Sequence, residues 1–145
     1  MNQNLEKAYR SLASAKLLYK DKDIDGAINR AYYAMFAAAS FAISDHDIKG
    51  VSIKTHTGLR QHFSNIFVKT GVMPQEIAKA LTKVEELRML ADYQSNAVIS
   101  DEICIKAMSD AEKFVKFIDD LHIESNESPD IDVLQSKNFN DPSMN

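Results

Sequence analysis

The stretch AINRAYYAMFAAASFAI, residues 27–43, decides the fold. Ala27, Ile28, Ala31, Tyr32, Tyr33, Ala34, Met35, Phe36, the run Ala37-Ala38-Ala39, Phe41 and Ala42 cover nearly every face of the helix that it predicts. A helix apolar all round belongs at the centre of a bundle or at a subunit interface. Its alanines let neighbouring helices approach closely. The apolar run is too short to span a bilayer. Arg30 is the only charge in its interior. Burying that charge is costly unless it is paired or reaches a polar cleft. Tyr33, three residues on, shares its face. Two readings stay open for Arg30: an internal ion pair with a carboxylate, or the wall of an anion or nucleotide cleft.

Four more helices are predicted around this one. Residues 4–20 place Leu5, Ala8, Tyr9, Leu12, Ala15 and Tyr19 on one stripe, with Asn4 as N-cap. The turn DKDIDG follows, with Asp23 or Asp25 capping the central helix over residues 24–43. After the loop SDHDIKGVSIK, a third helix runs from Thr55 to Gly71, burying Leu59, Phe63, Ile66 and Phe67. Pro74 opens a fourth, which ends near Gln94 and carries Ile77, Leu81, Val84, Leu87 or Arg88, and Ala91. Ser100 caps a fifth, with Asp101 and Glu102 where the helix dipole favours acids. Short links between long helices predict an all-α, antiparallel up-down bundle of four to five helices over residues 1–122. Residues 123–145 are polar, acidic and aperiodic, and read as a disordered tail.

Composition narrows the class. The 145 residues hold 45% hydrophobic and 26% charged side chains with four Gly and three Pro, which suits one globular domain. The net charge of −4 resides in residues 124–145, where five acids face one base; the rest balances sixteen acids against sixteen bases. The folded part is therefore not a basic nucleic-acid platform, and RNA binding must come from a local cluster. The single Cys104 sits among apolar neighbours and reads as a buried free thiol in a reducing cytoplasm. No apolar leader and no metal-ligand spacing of the four histidines is present, so no membrane anchor, metal or cofactor is expected.

Three groups can carry chemistry. Arg30 with Tyr33 is the first. Arg88 and Asp92 are four apart and can pair on one helical face, with Tyr93 next to them; a solvated salt bridge beside a core tyrosine is the plainer reading. Lys54, His56 and Arg60 gather at the start of the third helix, where cations and free amides can hold a phosphate and His56 can move a proton. A capping or partly buried histidine is the plainer reading there.

The segments at 27–43, KTHTGLRQHF at 54–63 and ELRMLADYQ at 86–94 together resemble the HEPN domain family. The resemblance covers roughly residues 3–120. It implies a bundle of four core helices, often dimeric, and many family members are RNases of toxin–antitoxin or defence systems encoded beside a minimal nucleotidyltransferase. Their motif is Arg, four to six residues, then His; a base activates the ribose 2′-OH while Arg offsets charge on the phosphate. Here no histidine stands five to seven residues after Arg10, Arg30, Arg60 or Arg88. Tyr93 holds the place after Arg88, and a phenol that ionises near ~10 is a poor base at neutral pH. The chain looks like the branch with Arg-x-x-Ala-Asp-Tyr in place of the motif.

Three functions follow as expectations. In the first, the protein binds RNA or a nucleotide in a cleft lined by Arg30, Tyr33, Lys54, His56, Arg60, Arg88, Asp92 and Tyr93, with a nucleotidyltransferase partner and Tyr93 as acceptor of AMP. In the second, it is a metal-independent RNase toxin with Arg88 on the phosphate and His56 as base. In the third, it is a structural module whose central helix or fourth-helix end forms a homodimer seam. The first requires cations from the second, third and fourth helices to converge on one hollow.

Overall fold

A computed structural model describes residues 2–45, 56–94, 96 and 98–127, the side chains of 56 and 124–127 excepted. The described residues form five α-helices and no strand: α1 (Gln3–Lys20), α2 (Ile24–Asp45), α3 (His56–Phe63), α4 (Gln75–Tyr93) and α5 (Asp101–Glu127). The chain is all-α, as its periodicity predicts.

Local chemistry sets the helix ends. Asn2, not Asn4, caps α1: its side chain accepts from the Asn4 amide at 2.7 Å. Both asparagines satisfy the cap preference, and the earlier one frees Asn4 for the first turn. Between α1 and α2 the backbone reverses through Lys22, whose φ of 66° lies in the left-handed region. Asp23 then caps α2 by accepting from the Gly26 amide at 2.9 Å. Ser100 caps α5, its hydroxyl accepting from the Ile103 amide at 3.2 Å.

The third helix departs from expectation. It is α-helical only to Phe63, and Ser64–Val68 widens into a π-helical turn. Lys69 donates to the Ser64 carbonyl at 2.9 Å, closing the wider ring. This keeps Phe63 and Phe67 both inward, stacked with centroids 4.9 Å apart. Gly71 ends the segment at φ 81°, where a side chain would be strained.

α2 is the axis of the bundle. Twelve of its residues are buried, and every other α-helix packs on it. Its apolar surface is thus largely used inside the protein. Contacts fix the directions. Tyr9 donates to Asp119 at 2.5 Å and Lys16 meets Glu112 at 2.9 Å, so α1 and α5 run antiparallel. Asn29 meets Asp92 and Tyr32 meets Glu85, so α2 and α4 run antiparallel. Ile28 and Cys104 share one apolar cluster while Asp45 meets His122, so α2 and α5 run in parallel. These are the directions of an up-down bundle. α5 continues five residues beyond the expected limit at His122, because His122 still packs edge-on against Phe41 at 4.9 Å. The remainder of the expected tail, and Lys54, lie outside the described residues.

Candidate functional site

The site is built where α2, α3 and α4 meet. On α4 the buried residues are Ala80, Leu81, Val84 and Glu85. Glu85 is therefore a carboxylate on an apolar stripe, 4% exposed. A charge so placed must be matched by its surroundings, and three groups do this. Arg60, from α3, forms an ion pair with its Oε1. Tyr32, from α2, donates its hydroxyl to Oε2 at 3.2 Å. Arg88, one turn along α4, brings Nη2 to 4.0 Å of Oε2. Neither Glu85 nor Tyr32 stands out as a site residue in the sequence. An acid lying among Leu81, Val84 and Arg88 was the available signal.

Arg88 ties this buried centre to the surface. Its guanidinium carbon lies 4.9 Å above the Tyr32 ring, and its Nη1 donates to Asp92 Oδ2 at 3.3 Å. Asn29 donates to the same oxygen at 3.2 Å. Arg30 closes the chain, donating to the Asn29 side-chain oxygen from Nη2 at 2.8 Å and from Nε at 3.2 Å, while its guanidinium stacks on Tyr33 at 4.8 Å. Among the described residues Arg30 thus finds an amide and an aromatic face, not the carboxylate of an internal ion pair. The pairing of Arg88 with Asp92 is present. Tyr93 is 73% exposed, so it is no core tyrosine.

The electrostatics follow from this arrangement. Burial, then the Glu85 carboxylate, holds the Tyr32 hydroxyl well above the usual phenol range. Tyr32 therefore stays a neutral donor and no base. Among the described residues three guanidinium groups (Arg30, Arg60, Arg88) face two carboxylates (Glu85, Asp92), an excess of one positive charge. The Nε atoms of Arg60 and Arg88 are buried without a hydrogen-bond partner among the described residues. Buried donors left unmatched are uncommon, and functional sites are one place where they persist. His56 opens α3 one turn before Arg60. Among the described residues no three His, Cys, Asp or Glu side chains gather to hold a metal. Burial raises the Cys104 thiol pKa, assisted by Asp101, which makes it a poor nucleophile.

A family model described as the HEPN domain matches residues 1–121. This chain belongs to the HEPN family. A UPF0332 protein of Thermotoga maritima is 33% identical over 115 residues, 79% of this chain and 85% of that protein. In Methanocaldococcus jannaschii, the protein named "Putative toxin MJ0605" is 32% identical over 111 residues, 77% of this chain and 80% of its own. A second from that organism, "Putative toxin MJ0142", is 30% identical over 98 residues, 68% and 65% of the two chains. No helix among the described residues is long and apolar enough to cross a membrane.

Proposed function

We propose that this HEPN protein acts as a toxin-type component of a two-gene toxin–antitoxin or defence system, and that its Arg88 network binds a phosphate of RNA or of a nucleotide. One observation carries the reading: cations from α2, α3 and α4 meet in a single network of ion pairs and hydrogen bonds with, among the described residues, one positive charge in excess. A phosphodiester carries one negative charge, and guanidinium groups match its oxygens in pairs. Buried ion pairs can often be replaced by apolar residues at no loss of stability, so this Arg–Glu–Arg group leaves room for a role beyond packing. Relatives named as toxins lend the biological setting.

The remaining parts follow the family. A minimal nucleotidyltransferase is the proposed partner, and the exposed Tyr93 hydroxyl is the proposed acceptor of AMP. Met89, exposed near the same end of α4, belongs to the proposed homodimer seam. Calorimetric titration with a mixed-sequence RNA oligonucleotide tests the central reading. Binding that disappears in Arg88→Ala supports it; equal binding by both proteins refutes it.

A second reading, metal-independent RNA cleavage, is favoured by one further observation. Arg60, one turn after His56, reaches Glu85 next to Arg88, so α3 brings its histidine-bearing end toward the network. His56 would be the base and Arg88 would offset charge on the phosphate. RNA cut in EDTA by the wild type, but not by an Arg88→Ala, His56→Ala double variant, is the expected result. Equal cutting by both would exclude this chemistry.

A further inference from the structure

The other side of Arg30 opens onto a different space. α1 and α2 leave between them a groove of about 300 Å³. Asn4, Lys7 and Ser11 line it from α1, at helical steps of three and four. Arg30, Tyr33, Ala37 and Ser40 line it from α2, again at such steps, and Phe36 completes the wall. The groove therefore joins two cations, two hydroxyl-bearing serines and two aromatic rings. None of its lining residues is an acid. Among the described residues neither Lys7 nor Arg30 forms a salt bridge.

We infer that this α1–α2 groove is a second binding site, which holds one nucleotide of an RNA strand whose neighbouring phosphate lies at the Arg88 network. The inference rests on the function proposed above and extends it to a distinct surface. The volume sits at the lower limit of small-molecule sites, ~300 Å³, and suits one nucleotide. Lys7 and Arg30 supply the positive charge for its phosphate. Tyr33, with the Arg30 guanidinium over its ring, and Phe36 bring aromatic groups to the wall, the kind of surface that bases of single-stranded RNA commonly pack against. Ser11 and Ser40 are placed to hydrogen-bond a ribose. Arg30 belongs to both places: it lines the groove and, through Asn29, reaches Asp92 and Arg88. A strand crossing that bridge touches both sites in succession.

Lys7 is exposed, so its charge can be reversed without disturbing the core. The test measures equilibrium binding of a fluorescently end-labelled, mixed-sequence RNA decamer to the full chain over a series of salt concentrations. Lys7→Glu is compared with Lys113→Glu, which makes the same change in net charge at an exposed residue outside the groove. Lys7→Glu should weaken binding roughly tenfold and flatten the salt dependence by about one ion, with Lys113→Glu staying within about twofold of wild type. Wild-type affinity in Lys7→Glu, or an equal loss in both variants, overturns the groove. If Arg88→Ala still abolishes binding in that case, the function proposed above stands and only the second site falls. If the wild type binds no RNA, both fall together.

Discussion

α2 meets α4 and α1 with a few polar side chains on each side, and the two sides differ in how their cations are matched. Toward α4, Arg88 and the incoming Arg60 meet Glu85 and Asp92, and the centre of that network is closed to solvent. Toward α1, Arg30 and Lys7 look across a groove with no acid in its wall. The same residue type serves two ends. A guanidinium matched by a buried carboxylate fixes the distance between helices. One matched only by an amide and an aromatic ring keeps its charge available to an incoming anion. Both sides belong to one network of ion pairs and hydrogen bonds, with Asn29 and Asp92 as the joint, and the phosphate site proposed at Arg88 draws on the charge that Arg30 adds to it.

The contrast predicts a steep order of effects on stability. Glu85→Ala strands two guanidinium groups and should cost about 3 kcal/mol, seen as a large fall in the urea midpoint. A change below about 1 kcal/mol would mean that water or rearrangement replaces Glu85 easily, and that it fixes little. Tyr32→Phe removes one donor from the same carboxylate and should cost about 1 kcal/mol. Lys7→Glu, on the open side, should alter stability by less than about 0.5 kcal/mol. Lys22→Gly relieves the left-handed backbone at the α1–α2 turn and should add about 0.5 kcal/mol, an effect independent of both sides.

Alkaline pH sharpens the comparison from another side. Tyr32 is held above its ordinary range by burial and then by Glu85; Tyr9 is held above it by burial and then by its hydrogen bond to Asp119. Below about pH 10 the folded and unfolded chains both keep these phenolic protons, so that contribution is constant. Above it the unfolded chain releases them first, and stability falls as pH rises. Tyr32→Phe and Tyr9→Phe should each make the alkaline fall shallower in denaturation curves taken between pH 8 and 11. An unchanged fall in both variants would show that other groups control it.

The fold was largely legible because helices write their period into the sequence. Leu5, Ala8, Leu12 and Ala15 are buried as their spacing predicts, and α2 is central because no face of it is polar enough to stay outside. The π-helical turn at Ser64–Val68 was not legible, since aromatic packing of Phe63 on Phe67 and Phe114 decides it from a distance. The site was legible only in pieces. Arg30, Arg60, Arg88 and Asp92 stand out by charge and spacing. What joins them, Asn29, Tyr32 and Glu85, does not: two of these lie on a mostly apolar helix, and the third inside an apolar stripe. Pairings across helices depend on which faces meet, and a single sequence does not record that. Lys54 lies outside the described residues, and for His56 only the backbone position is described.

Inducible expression in a host lacking the proposed partner puts the network to its most direct trial, with growth and total RNA followed for the wild type and for Arg88→Ala at matched protein levels. Arrest by the wild type and normal growth with Arg88→Ala is the outcome predicted for a toxin that works through this guanidinium. Equal arrest by two folded proteins, or no arrest by either, would contradict it.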